Sequence, residues 1–110
     1  MYSIETSNLF KIDIQTIYNF IMEEYDSPLA ADNLIIHLKD KLNQLKEKPF
    51  SRAIVKDTVL ASKGYRIIQI KNYLLFYKVD EKSKIVKLHR FLHGSRDWVN
   101  ILKEDYGKEE

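Results

Sequence analysis

Between Phe10 and Tyr25 the apolar residues Phe10, Ile14, Ile17, Tyr18, Ile21 and Tyr25 recur at intervals of three and four. That spacing draws one stripe along a helix of roughly four turns. Ser7 stands just ahead of the stripe, where its hydroxyl can accept from a free amide of the first turn. At Asp26-Ser27-Pro28 the pattern breaks and restarts, with Ser27 as a cap and Pro28 at the first helical position, where a missing N–H costs nothing. The second stripe, Ala31, Leu34, Ile35, Leu38, Leu42 and Leu45, ends before Pro49, which removes a donor and disfavours helix at Lys48. Two amphipathic helices on so short a link predict an antiparallel hairpin. A short strand is predicted ahead of them, over residues 2–5.

Past Gly64 the period changes from helical to alternating, and β-branched and aromatic residues rise. Residues 65–70, 73–79 and 85–92 read as three strands in two successive hairpins, separated by Lys71-Asn72 and by residues 80–84. Residues 50–63 read as a basic loop with a possible short strand at 53–55. Trp98, Ile101 and Leu102 predict a short helix over 96–102, and residues 104–110 a frayed polar tail. The expected fold is α+β, in the order β-α-α-β-β-β and short C-terminal helix, with the helical hairpin on one face of a mainly antiparallel sheet. One domain is expected over 1–103, ahead of the tail 104–110.

Charge changes this picture. The formal net charge is only +2, but residues 1–50 carry five lysines against eight acids, while residues 51–103 carry twelve Lys or Arg against four. The cationic field therefore belongs to the strand-rich half, which points to a polyanion or an acidic protein as partner. Cysteine is absent, so disulfides and thiolate chemistry are excluded. Three scattered histidines do not make a zinc site, and three glycines do not make a phosphate loop. No cofactor is expected. With no basic-then-apolar leader and no apolar run near the roughly 20 residues that span a bilayer, the chain is expected to be cytoplasmic and off the membrane.

The hairpin followed by GYRIIQIKNYLLFYKVDEKSKIVKLHRFLHGSRDW resembles the RelE/ParE superfamily of bacterial toxins from type II toxin–antitoxin, or plasmid stabilization, modules. NYLLFYKVD and RFLHGSRDW are the most specific pieces. The resemblance implies a growth-arresting protein held inactive by a cognate antitoxin that covers its basic face. In the RelE-like branch the target is mRNA on the ribosome, and in the ParE-like branch it is DNA gyrase; a shared fold does not choose between them.

Metal-independent RNA cleavage through a 2′-hydroxyl needs a proton acceptor, a proton donor and cations on the phosphorane. His89 and His93 are the candidate proton carriers, and Arg66 and Arg96 the candidate phosphate ligands. Arg52, Lys56, Lys63, Lys71, Lys87 and Arg90 are candidate binding cations. Strict alternation in the last strand would put Val86, Leu88, Arg90 and Leu92 on one face and Lys87, His89, Phe91 and His93 on the other. Lys87, His89 and His93 would then line one groove, while Arg90 would need a partner such as Asp97 or a helix acid.

RelE-like nucleases carry an arginine where this chain has Leu74. Arg66 matches one of their lysine positions and Ile68 another, and their C-terminal basic segment is matched by His93 and Arg96, with Trp98 in place of a following aromatic. Leu74 favours the gyrase-directed reading, with ribosome-dependent cleavage and a degenerate module member that only binds antitoxin as alternatives. Each residue also has a plain reading: His89 as a surface or packing residue, His93 as a turn residue, Arg96 and Asp97 as a cap pair, Tyr65, Tyr73 and Tyr77 as core or rim packing rather than a base-stacking platform, and Trp98 as packing.

Overall fold

The structure is a computed structural model and describes residues 1–108. Its elements are β1 (Ser3–Thr6), α1 (Asn8–Tyr25), α2 (Pro28–Glu47), α3 (Thr58–Ser62), β2 (Arg66–Ile70), β3 (Tyr73–Asp80), β4 (Ile85–His93) and α4 (Trp98–Lys108). The caps are those the sequence offers. Ser7 Oγ accepts from Phe10 N at 3.0 Å and Ser27 Oγ from Ala30 N at 3.2 Å. Asp26 takes the left-handed conformation, φ 45°, that lets the chain reverse between α1 and α2.

The four strands lie in the order β1-β4-β3-β2, antiparallel except for β1, which runs parallel to β4. One face carries Ile68, Ile70, Leu75, Tyr77, Val86, Leu88 and Phe91 and packs on the hairpin through Phe10, Ile21, Ala31, Leu34, Leu38 and Leu45. The other face is covered as well. Phe76 and Leu92 pack there with Val55, Leu60, Tyr65 and Leu102, so α3 and α4 form a second layer. Helices confined to one face were expected, and this second cluster corrects that expectation. Its cause is local: residues 50–63 are not a plain loop, because Asp57 accepts from Leu60 N at 3.0 Å, starts α3 and buries Leu60 completely. The possible strand at 53–55 is reduced to an isolated bridge between Ile54 and Arg66.

Two further corrections concern the C-terminal third. The expected tail is largely helix, since α4 runs to Lys108 and buries Asp105; Glu109 and Glu110 lie outside the described residues. In β4 the alternation breaks. Phe76 faces Arg90 but Tyr77 faces Leu88, so His89 is the extra residue of a β-bulge. Val86 and Leu88 therefore share the hairpin face with Phe91, while Arg90 and Leu92 stand on the α4 side.

Candidate functional site

Strand β1 ends opposite Leu88, which leaves the outer edge of β4 without a strand partner beyond that point. Exposed edge amides and carbonyls need partners, and the start of α1 supplies them. Ser7 N donates to Leu88 O at 3.0 Å, Ser7 Oγ donates to His89 O at 2.7 Å, and Phe91 N donates to Asp13 Oδ2 at 2.9 Å. Asp13 also receives Arg90 as a two-toothed pair, Nε to Oδ2 at 2.7 Å and Nη2 to Oδ1 at 2.8 Å. The remaining guanidinium nitrogen reaches both Asp105 oxygens of α4, at 3.1 and 3.0 Å. His89 Nε2 lies 3.2 Å from Asp105 Oδ2, and its ring lies 5.2 Å from Tyr65. Burial works against the Arg90 charge, but the two carboxylates outweigh it and raise its pKa.

This network separates the residues that the sequence put together. His89 is buried on the α4 side, Lys87 is exposed further along that side, and His93 projects on the hairpin face beside Tyr73. The expected groove of Lys87, His89 and His93 does not form, because the bulge puts His93 out of step with the other two. Arg90 is bound by Asp13 and Asp105 rather than presented as a binding cation, and Asp97 instead accepts from Asn100 Nδ2 at 2.6 Å. Arg66 donates to Arg52 O and lies over the Phe50 ring. It sits four residues along β3 from the Tyr73–His93 pair, roughly 13 Å at strand rise. Arg52 bonds Gln44 Oε1 at 3.4 Å, Lys63 lies over the Tyr106 ring, Lys87 is 3.8 Å from Asp80, and Lys56 is exposed in the loop. Apart from the Arg52–Arg66 contact, these cations are dispersed rather than gathered.

His93 and Arg96 do come together, at a cleft of about 890 Å³ between the hairpin tip and the end of the sheet. Its walls are Ile17, Phe20 and Tyr25 of α1, Leu34 of α2, and Tyr73 and Phe91 of the sheet; Lys71, His93 and Arg96 stand at one rim. Tyr73 stacks on Phe91 at 5.3 Å and meets the His93 ring edge-on at 5.3 Å. Ser95 N donates to His93 Nδ1 at 3.1 Å, with Ser95 Oγ 2.7 Å from the same atom, so in the neutral ring the proton is on Nε2. Sequence reasoning missed Phe20 and Tyr25 as cleft walls and Asp105 as a network member. The signal for the first two was an aromatic pair in the last turns of α1, which the apolar stripe alone did not distinguish from core.

Among the described residues no cluster of His, Cys, Asp or Glu is placed to hold a metal, and no helix is long and apolar enough to cross a membrane.

A helical hairpin beside a four-stranded sheet, with a short helix on the far face and an apolar cleft at one end, defines a small α+β protein of the RelE/ParE-like fold. The sequence profile of the ParE toxin of type II toxin–antitoxin systems matches residues 4–98, and the chain belongs to that family. Among solved structures, the chromosomal ParDE toxin–antitoxin system of P. aeruginosa aligns with a TM-score of 0.66 at 13% identity, covering 84% of this chain and 96% of that one. The RelBE2 toxin–antitoxin complex of Mycobacterium tuberculosis aligns at 0.60 with 16% identity, covering 84% and 96%. The intact E. coli RelBE complex aligns at 0.59 with 14% identity, covering 87% and 100%. Among curated proteins none matches the chain significantly.

Proposed function

We propose that this toxin is neutralised by a cognate antitoxin and, when free, arrests growth by binding DNA gyrase rather than by cutting RNA. The observation that carries the choice is the closed apolar character of the sheet face on which Leu74 stands. Leu74, Phe76 and Leu92 pack there with Trp98 and Leu102, so a phosphate meets hydrocarbon where the nucleases have an arginine. The candidate nuclease residues support the same reading by their dispersal. His89 is buried against Asp105, Arg66 is about 13 Å from His93 along the strands, and only His93 and Arg96 share a surface. General acid–base cleavage needs its groups within hydrogen-bond reach of one phosphate.

Purified toxin is expected to inhibit supercoiling or trap cleaved DNA with purified gyrase, and to leave mRNA on translating ribosomes intact. Discrete mRNA cuts lost in His93→Ala or Arg96→Ala would assign the protein to the ribosome-dependent branch. Overexpression without any growth defect would leave antitoxin binding as its remaining activity.

A further inference from the structure

We propose that Arg52 and Arg66 form a binding site for a phosphate dianion, the group shared by inorganic phosphate and phosphate monoesters. The site is separate from the cleft, and it is independent of whether gyrase or the ribosome is the target.

Arg66 opens β2 directly opposite Tyr77 of β3, and Tyr77 belongs to the sheet face that packs on the hairpin. Cross-strand partners share a face, so Arg66 stands on the other side of the sheet from Leu74 and Phe76. The chain itself brings Arg52 there. Val55 N donates to Tyr65 O at 3.0 Å and Ile67 N to Ala53 O at 3.2 Å, which lays the segment after Arg52 along the edge of β2. Arg66 then donates to Arg52 O and lies 5.1 Å over the Phe50 ring, while Arg52 Nη2 reaches Gln44 Oε1 at 3.4 Å. Both arginines are half-buried, so their forks are held in place rather than free to sweep through solvent.

Two cations held in one corner of a fold destabilise each other unless an anion joins them. Among the described residues no carboxylate pairs with Arg52 or Arg66. A second observation points the same way. Tyr77 is fully buried, and its hydroxyl has no hydrogen-bond partner among the described residues. The charges of Arg66 and Arg52 both act on that hydroxyl, opposing the rise that burial imposes on its pKa. Buried polar atoms without partners are rare, and an anion drawn to the two arginines offers the acceptor this one lacks.

The surroundings favour the same charge. Residues 46–52 add Lys46 and Lys48 against Glu47. The C-terminal end of α2 acts against an anion, but Gln44 O, Lys46 O and Lys48 O already accept from Lys48 N, Tyr2 N and Ser51 N, at 2.9, 2.9 and 3.2 Å. Guanidinium forks match phosphate oxygens in pairs, and two of them balance a double charge. A backbone phosphodiester carries a single charge and leaves one arginine uncompensated. Phe50 is 46% exposed, which leaves open ring surface beside the arginines for a base carried on the phosphate.

Methyl phosphate titrated into the isotope-labelled chain at constant ionic strength and about pH 8, well above its second ionisation at about 6, tests the site. Saturable shifts are expected at Gln44, Arg52, Arg66 and Tyr77, and dimethyl phosphate, with one charge, should bind about tenfold more weakly. Arg52→Gln should also weaken methyl phosphate about tenfold, and its circular dichroism should match the parent because its side chain makes only the 3.4 Å bond to Gln44. Lys39→Gln, an equal loss of charge on the exposed face of α2, should leave the affinity unchanged. Adenosine monophosphate separates the two sources of the dianion. Tighter binding than inorganic phosphate, lost in Phe50→Leu, assigns a nucleotide; equal binding assigns free phosphate. The proposal is overturned by shifts that do not saturate or that centre on Lys71 and Arg96, or by equal binding of dimethyl phosphate. It is equally overturned if Arg52→Gln binds methyl phosphate unchanged, or if a single-stranded oligonucleotide without a terminal phosphate competes as well as the monoester.

Discussion

Arg90 and Asp13, 77 residues apart in the chain, form a two-toothed ion pair at 2.7 and 2.8 Å where α1 takes over from β1 along the edge of β4. The pair joins the hairpin layer to the sheet, and Asp105 extends it to α4. Both carboxylates are nearly inaccessible, so removing either leaves charge without water to compensate.

Asp13→Ala should therefore cost roughly 3–5 kcal/mol in urea unfolding, in the range for breaking a buried pair from one side. It also strips Phe91 N of its acceptor. Arg90→Lys should restore little, because an ammonium cannot serve two carboxylates with the geometry of a guanidinium fork.

Asp105→Ala is expected to cost less, about 1–3 kcal/mol, since Arg90 keeps Asp13. The measurement that separates a helix from a tail is the same urea midpoint. No change on Asp105→Ala would mean that α4 does not depend on this contact.

Ser7→Ala removes two bonds at once, the cap on Phe10 N and the donation to His89 O. A loss of about 1–2 kcal/mol is expected. Ser7→Asp should keep the cap but not the donated proton, and a partial loss would apportion the two.

Tyr77 is fully buried, and its hydroxyl has no hydrogen-bond partner among the described residues. Burial pushes its pKa from 10.0 to about 12, against the opposing charges of Arg66 and Arg52. A raised folded-state value means that the stabilisation is fully present below pH 10 and lost as pH rises through about 12. Tyr77→Phe should raise stability at neutral pH by up to about 1 kcal/mol and remove part of the alkaline loss between those limits. Stability measured against pH in both proteins checks the slope.

Much of this architecture was legible in the residues. Ser7, Ser27 and Pro28 announce both helices because capping is local chemistry, and the change of period past Gly64 announces the three later strands. What was not legible depends on distance or on count. Asp105 looks like one acid among several in a polar terminus until α4 carries it to Arg90. Arg90 did signal a need for an acid, and a helix acid answered it, but nothing in the spacing distinguished Asp13 from its neighbours. The second apolar layer escaped notice because α3 is five residues long, too short for any periodicity to register. In the cleft, His93 and Arg96 were readable as candidates from their closeness in sequence, whereas Phe20 and Tyr25 reach it only through the hairpin.

The surplus residue in β4 bears on how this chain is compared with its relatives. The strand has nine residues against eight in β3, and the excess is concentrated at His89. Position 89 is thus the place where a related toxin can be one residue shorter without inverting either end of the strand. A gap anywhere else in β4 would exchange the wall of the cleft for the underside of α4. Roles transferred from a relative with a shorter strand shift by one place on crossing that point, unless the gap is set at the bulge.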